Sequence, residues 1–463
     1  MSNFIKRHIG LILILIIAIV FPASLSNQAK LNMRIIVTGL AIDRNEDQYE
    51  VTAQIVKTVS GTESPGTGAE IEFISDGAET VSKAISKLLY KAGKVSAFSH
   101  TNFLILGNSI LKEDVTKCLD LFLRDKIIKN SAMILFSKNS AKSEIQKTKN
   151  LELSVGLGLQ KVYSFKQEES DGLMVTILDF MNENNTYGKT ATTSLFELVE
   201  NDASGDGEAS GSGGNSSDGL SQDSSNTGGG SSGDGNSKDS SSSDTQNSSS
   251  AGSKESSSAS GSSNSSSGGS SSGSGFSSSS DKNSKMYFAP NTPTYVFVDG
   301  KFALEISDEK ENSGYLLTQR KTKTSYIELT NVDDEKLKSA KISIIIKNKK
   351  VSKRVHFNNN IPCLDLHIVI DNSEVNEINS DERNKSLSNE QLDKIKFALK
   401  KEIEKNIGSV FEKAKENGAD IFKAYEIAYK FNYGELTKLY TSPEDFIKNL
   451  NLSVSVDVLG LES

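Results

Sequence analysis

The sequence of 463 residues contains no tryptophan, two cysteines and four histidines. Neither Cys118 nor Cys363 has a CxxC partner, so the spacing typical of thiolate metal sites and redox centres is missing. We expect two buried free thiols, because a lone cysteine usually behaves as a small hydrophobe, and an interdomain disulfide is the alternative. The histidines form no HxH or HExxH pattern and no Cys-His cluster. No metal site is predicted.

Sequence motifs of enzymes are missing as well. There is no GxSxG nucleophile elbow, and the serines in the polar middle of the chain have no ordered base beside them. Gly156-Leu157-Gly158 begins like a phosphate-binding loop, but the third glycine is missing and Lys161 is not followed by Ser or Thr in the P-loop register. His356 and His367 could approach each other across neighbouring strands, although core or surface imidazoles are the simpler interpretation. The sequence therefore predicts a protein that is not an enzyme and has no cofactor.

An excess of basic residues is also lacking. The chain has 52 Lys and Arg against 60 Asp and Glu, which gives a formal net charge of −8. Affinity for phosphate backbones comes mainly from clustered Lys and Arg, and here the basic residues are mixed with acidic ones throughout. Binding to nucleic acid is therefore not expected.

The N-terminus has the features of an export signal. Lys6, Arg7 and His8 precede an apolar run from Ile9 to Phe21. The run is shorter than the ~20 residues of a spanning helix, so a cleavable signal is favoured, with an uncleaved anchor as the alternative. We expect residues 1–26 to be a signal peptide or N-terminal membrane anchor, and the rest of the chain to lie outside the cytoplasmic membrane.

Residues 201–285 are dominated by Ser and Gly. Between Gly205 and Phe276, Leu220 is the exception in a stretch with almost no apolar side chain larger than alanine. Such a composition cannot bury enough apolar surface to offset the entropy of ordering. A Gly/Ser chain of this length is expected to span ~50 Å as a flexible coil. We therefore predict a long disordered linker.

The two flanking regions, 27–200 and 286–463, both mix strand and helix patterns. Apolar residues repeat every second position in some segments and at helical spacing in others, and Ser388 with Gln391 forms a capping box. The fold class is therefore α+β, with two or three mixed α/β domains and mainly antiparallel or mixed sheets. Predicted strands include Ile35–Val37, Tyr49–Ile55, Phe103–Leu106, Ala132–Phe136, a hairpin turning at Asp299-Gly300, Ile342–Ile346, Leu364–Ile370 and Leu452–Val458; predicted helices include Val81–Leu89, Val115–Leu123 and a long one from Ser388 to Gly418.

Several of these segments resemble the Ger(x)C family, the C subunits of spore germinant receptors, in their order and spacing. They are Ile35–Asp43 (IIVTGLAID), Ser99–Gly107 followed by Leu121–Asp125, Thr294–Lys301 with Gly314-Tyr315-Leu316, and the long helix running into Gly418–Phe422 with a closing strand before Gly460. The resemblance covers most of the chain outside residues 201–285. Within these segments we single out Asp43, His100, Gly107, Arg124, Asp125, Gly300, Asp420 and Gly460 as family-motif residues.

The simplest interpretation of each of these residues is that it helps to specify the fold. Gly107 is expected to supply a backbone conformation that a side chain would strain, and Asp299-Gly300 to form a turn. Arg124 and Asp125 are expected to form an ion pair or cap at a helix end, and not a catalytic pair. Asp420 is expected to cap a helix that starts near Ile421.

The resemblance implies a non-catalytic receptor subunit. Such a subunit would lie on the outer face of the cytoplasmic membrane, or of the spore inner membrane, and assemble with integral-membrane A and B type subunits. The sequence departs from the family pattern at Leu25, near which the family usually has a lipobox cysteine, and in Tyr433 and Tyr440, where tryptophans are usual. Attachment would then depend on an uncleaved N-terminal helix or on partner subunits.

Two other functions remain open from the sequence. One is an exported module, or another cell-envelope protein without a role in germination, that binds a small ligand in an interdomain cleft. The other is an extracytoplasmic enzyme such as a cell-wall hydrolase, for which no reactive residues are found.

Overall fold

A computed structural model of the chain describes residues 34–57, 70–92, 95–125, 127–151, 157–200, 286–379 and 387–462. The predicted signal or anchor at 1–26 and the predicted linker at 201–285 lie outside these residues. Within them the chain forms mixed and antiparallel sheets with helices packed against them. The predicted α+β class is therefore confirmed.

The first sheet is mixed and is covered on both faces. Its order is β3-β2-β1-β5-β6, with β4 also paired to β1. Strand β1 is antiparallel to β2 but parallel to β4 and β5. The apolar run Phe103–Leu106 alternates between two hydrophobic clusters, one on each side of the sheet, which is why it shows no polar alternation. The strands are β1 (Arg34–Asn45), β2 (Gln48–Lys57), β3 (Glu70–Ala78), β4 (Val95–Ala97), β5 (Phe103–Leu106) and β6 (Met133–Phe136).

The helices of this part of the chain pack by their apolar faces. Leu88 of the first helix and Phe122 of the second are completely buried, as the helical spacing of their neighbours predicts. The helices are α1 (Val81–Ala92), α2 (Thr116–Asp125), α3 (Ala141–Lys147), α4 (Leu157–Glu168) and α5 (Ile177–Asn184), with short 3-10 turns at Phe98–His100, Asn108–Lys112 and Thr148–Asn150.

Two sheets combine strands from before and after residues 201–285. Strand β7 (Thr190–Ser194) pairs antiparallel with β10 (Thr294–Val298), which forms a hairpin with β11 (Lys301–Ile306). Strand β8 (Leu198–Glu200) pairs antiparallel with β9 (Met286–Phe288). The described parts of regions 27–200 and 286–463 therefore share two sheets and a hydrophobic core. The domain boundaries drawn between these regions stay a prediction.

Lys166 adds a buried polar link between the same two regions. Its ammonium group lies 2.5 Å from Asp171 Oδ2 and donates to the carbonyl oxygen of Ala289 and to Thr292 Oγ1, both at 2.9 Å. The side chain is 8% exposed. Because a buried charge is costly without partners, this arrangement fixes the chain after residue 286 against α4.

The last sheet has the order β12-β13-β14-β15 and carries the longest helix on one face. Leu364, Leu366 and Ile368 of β14 are completely buried beneath that helix, while the residues between them are partly exposed. The elements are α6 (Glu309–Leu317), β12 (Ser325–Leu329), β13 (Lys341–Asn358), β14 (Ile361–Asn379), α7 (Asn389–Glu416), α8 (Ala424–Phe431), α9 (Tyr433–Leu439), α10 (Pro443–Asn449) and β15 (Asn451–Val458).

Helix α7 begins and ends where its sequence predicts. Ser388 and Gln391 form a capping box, in which each side chain accepts a hydrogen bond from the other residue's backbone N–H. At the other end Gly418 has a φ of +68°, the left-handed conformation common just after a helix.

Candidate functional site

Asp43 and Gly107 form one structural unit with the start of helix α3. The Asp43 carboxylate accepts hydrogen bonds from the backbone N–H groups of Ala141 and Lys142, both at 2.8 Å, and from Ser140 Oγ at 2.9 Å. A Cβ atom added to Gly107 would lie 1.9 Å from Asp43 Oδ1. Gly107 itself has an ordinary φ of −77°. The prediction of a strained backbone conformation at Gly107 is therefore wrong. This glycine instead leaves room for the Asp43 carboxylate.

Gly300 is constrained in both conformation and space. Asp299 and Gly300 have φ values of +50° and +75°, as expected for a tight turn between β10 and β11. A Cβ atom on Gly300 would lie 2.2 Å from Asp114 Oδ1, and the Gly300 carbonyl oxygen accepts a 2.9 Å hydrogen bond from the N–H of Val115. The turn thus holds the chain just before α2.

Asp420 caps helix α8 from a buried position. Its two carboxylate oxygens accept hydrogen bonds from the N–H groups of Ala424 and Tyr425 at 2.7 and 2.8 Å. The helix begins at Ala424, three residues later than its expected start near Ile421. Burial raises the pKa of Asp420 above its ordinary value, and the two N–H donors and Lys353 act in the opposite direction.

The other family-motif residues lie apart from these contacts. A Cβ atom on Gly460 would lie 2.5 Å from the carbonyl oxygen of Asp371, so this glycine allows the C-terminal segment to approach β14. His100 is exposed in the 3-10 turn before β5. Arg124 forms an exposed ion pair of 2.6 Å with Asp120 one helical turn back, and not with Asp125, which is exposed at the end of α2. Leu25 lies outside the described residues.

His356 and His367 do not meet. In the register of β13 and β14, His356 lies opposite Cys363 and His367 opposite Ser352, four residues away along the ladder. Four residues correspond to ~13 Å along a strand. His356 Nδ1 lies 3.0 Å from Asp365 Oδ2 and His367 Nε2 lies 2.9 Å from Asp457 Oδ2. The hypothesis that these two histidines approach each other is therefore wrong.

Both cysteines are free thiols in the structure. Cys118 is buried, and burial raises the pKa of its thiol to about 12. Cys363 is only half-buried, so the expectation of two buried thiols holds for Cys118 alone. Over the described ranges from 34 to 462, no group of three or more His, Cys, Asp or Glu side chains could hold a metal ion.

A cleft of about 950 Å³ lies beside helix α8, the helix that Asp420 caps. It lies between α5, the turn after α6, the middle of β13 and helix α8, so strands and helices from both sides of residues 201–285 form its walls. Its basic side chains are Arg320, Lys321, Lys353, Lys423 and Lys430, and its acidic side chains are Asp179, Glu183 and Glu426.

Lys353 and its neighbour Lys349 are unusual cations in this region. Lys353 Nζ lies 5.3 Å above the ring of Phe422. The pKa of Lys353 is lowered to about 8, mainly by burial; the carboxylate of Asp420 acts in the opposite direction, and the charges of Lys423 and Arg320 add to the lowering. Burial, together with the charge of Lys353, lowers the pKa of Lys349 to about 7. Lys349 donates to the carbonyl oxygens of Leu317 and Gln319.

Two family models match the chain on either side of its Ser/Gly-rich segment. Residues 27–198 match the "spore germination protein N-terminal domain", and residues 293–459 match the "spore germination B3/GerAC like, C-terminal" model. The chain belongs to the Ger(x)C family. This Ger(x)C protein therefore has a role related to spore germination.

One solved structure matches the Ger(x)C chain, a crystal structure of the GerBC protein. It is 12% identical, the alignment covers 91% of this chain and 96% of that one, and the TM-score is 0.44. No curated protein matches by sequence. No helix within the described part of the Ger(x)C chain is long and apolar enough to cross a membrane.

Sequence reasoning missed the basic cleft of this Ger(x)C protein. The run Lys349-Lys350-Val351-Ser352-Lys353-Arg354 was a signal, because it places several cations within a strand. Alternation alone assigns such side chains to solvent, and here the turn after α6 and helix α8 cover part of the strand.

Proposed function

We propose that the chain is a non-catalytic subunit of a spore germinant receptor. It is exported to the outer face of the cytoplasmic membrane, which becomes the inner membrane of the spore, and it assembles with integral-membrane A and B type subunits. The observation that carries the proposal is the presence of both family regions, in order, on one chain.

The contacts of the family-motif residues support a role through surfaces. Five family-motif residues make internal contacts that fix two helix starts, a turn and the C-terminal segment. These residues are Asp43, Gly107, Gly300, Asp420 and Gly460. Residues used in this way stabilise the fold and leave recognition to the exterior. A subunit that assembles and relays a signal needs a rigid body of this kind.

Exposed aromatic side chains offer a surface for testing assembly. Phe431, the last residue of α8, is 79% exposed, and Tyr433, the first residue of α9, is 54% exposed. Aromatic residues are enriched in interfaces between proteins because they combine a large apolar area with low conformational freedom. Tyr90 is 87% exposed on α1 and provides a matched position elsewhere.

The experiment compares spores that lack the gene with spores complemented by the full-length chain. The complemented protein is expected in the inner-membrane fraction, to restore the response to a germinant, and to co-purify with the A and B type subunits after mild solubilisation. The Phe431→Ser/Tyr433→Ser variant is expected to lower co-purification, and Tyr90→Ser is expected to leave it unchanged. Recovery of the protein only from the cytosol or the growth medium would contradict the proposal.

A further inference from the structure

We propose that the cleft between α5, β13 and α8 binds a small organic anion from solution. In this arrangement Arg320 and Lys353 bind a carboxylate or phosphate group, and the apolar wall of the cleft contacts the rest of the ligand. This inference goes beyond receptor assembly and does not depend on it.

The first argument is the local charge balance. Lys423 pairs with Glu183 at 2.7 Å, and Lys430 pairs with Glu426. Asp179 is occupied at the start of α5, where its side chain accepts a hydrogen bond from the backbone of Thr176. The cations that remain along the cleft have no carboxylate within ion-pairing distance among the described residues; they are Arg320, Lys321 and Lys353. The site is therefore cationic on a chain whose net charge is −8.

The second argument is the position of Lys353. Its ammonium group lies over Phe422, where the buried carboxylate of Asp420 favours its protonated form and the charges of Lys423 and Arg320 disfavour it. A half-buried cation beside other cations is costly, and an anion between them would offset that repulsion. Arg320 is exposed at the rim, where its planar guanidinium suits a bidentate contact to a carboxylate or phosphate.

The third argument is the shape and lining. Leu173, Val351, Ile421 and Ile427 line the cleft beside the cations. A concave site with apolar walls and a few converging polar groups is the usual form of a small-molecule site, and the volume lies within the ordinary range of ~300 to 1,000 Å³. A bilayer surface is contacted by protruding apolar faces, so the concavity favours a soluble ligand over a lipid headgroup.

The test is a titration of the full-length protein in a non-ionic detergent with phenyl phosphate, followed by ³¹P NMR and calorimetry. Binding is expected to weaken about 10-fold or more in Arg320→Gln and in Lys353→Met, because each loses a charge-assisted contact. It is expected to be lost in the double variant. Benzyl alcohol, the neutral probe, is expected to bind the wild type more weakly than phenyl phosphate.

Lys338→Gln is the control, because Lys338 is an exposed lysine outside the cleft. Its affinity for phenyl phosphate should equal that of the wild type. Arg320→Gln alters an exposed side chain, so this variant keeps the test valid if Lys353→Met does not fold. Undiminished binding by Arg320→Gln, or no binding by the wild type up to about 10 mM, would overturn the proposal. Binding only to anionic phospholipid vesicles, with no binding of phenyl phosphate, would also overturn it.

Discussion

Replacement of Gly107 by alanine tests the unit formed by Asp43 and helix α3. The added methyl group would lie 1.9 Å from Asp43 Oδ1 and 2.9 Å from the backbone nitrogen of Ala141, so the carboxylate has to move. Asp43 Oδ1 is the atom that accepts the 2.8 Å hydrogen bond from Ala141. A hydrogen bond to a charged group contributes about 1.5–3 kcal/mol, and overpacking costs about 1–3 kcal/mol. We therefore expect Gly107→Ala to lower the free energy of unfolding by about 3 kcal/mol.

The measurement is urea unfolding followed by circular dichroism, together with amide hydrogen exchange at the start of α3. Exchange at Ala141 and Lys142 should accelerate in the variant, because their N–H groups lose an acceptor. Gly434→Ala is the matched control, since nothing lies within 4 Å of a Cβ atom added there and the residue is within α9. Alanine should leave that helix unchanged or stabilise it by up to about 1 kcal/mol.

A double-mutant cycle decides whether steric conflict with Asp43 is the cause. In an Asp43→Ala background the 1.9 Å conflict with Oδ1 is removed and the 2.9 Å approach to the Ala141 nitrogen remains, so Gly107→Ala should cost about 1 kcal/mol there instead of about 3 kcal/mol. An equal cost of Gly107→Ala with and without the Asp43 carboxylate would refute the reasoning.

Three further predictions follow from buried side chains. Lys166→Met should lower the free energy of unfolding by about 3–5 kcal/mol in urea denaturation, because it breaks a buried ion pair; a loss below about 1 kcal/mol would count against the link between the two regions. Iodoacetamide at pH 8 should modify Cys363 in the folded protein and Cys118 only after unfolding, as peptide mass spectrometry can show; equal rates would be inconsistent with burial of Cys118. The pKa values of Lys349 and Lys353 in the folded protein, about 7 and about 8, lie below the ordinary 10.5, so both lysines take up protons on unfolding between about pH 7 and 10. The free energy of unfolding should therefore rise over this range, by up to about 1.4 kcal/mol per pH unit for each lysine. The Lys349→Met/Lys353→Met variant should show a flatter rise in a series of urea midpoints, and parallel curves would disprove the shift.

The elements that the sequence predicts well are those whose burial follows from local periodicity. The apolar residues of 49–55 alternate because one face of β2 packs against α1, while Thr52 and Gln54 are buried on the other face. The long helix α7 begins at its capping box at Ser388. The turn at Asp299-Gly300 is local chemistry as well, since both residues accept positive φ.

Strand β7 could not be predicted, because its burial comes from distant parts of the chain. Its sequence Thr-Ala-Thr-Thr-Ser is polar, yet every residue is buried. Thr193 donates to the carbonyl oxygen of Ile134, and Tyr315 donates to Thr192 Oγ1. Hydroxyl groups that find such partners tolerate burial, and no pattern within five residues reveals those partners.

The candidate site was predictable only in part, because its contacts also come from distant parts of the chain. The sequence singles out Asp43 and Gly107, but the hydrogen bond that Asp43 accepts comes from Ala141, 98 residues away. The role of Gly107 was misassigned because a glycine required for space and one required for φ look the same in a sequence. The cleft was missed because three separate segments converge there.

The β8–β9 pairing places the two residues that flank the Ser/Gly-rich segment side by side, because Glu200 pairs with Met286. Any chain inserted at this position starts and finishes at the same place, whatever its length, and each doubling of a loop adds only about 0.6 kcal/mol of closure cost. Evolution can therefore lengthen or shorten this insertion without moving the folded elements beside it. An investigator can use the same position as a splice point for an affinity tag or a fluorescent reporter.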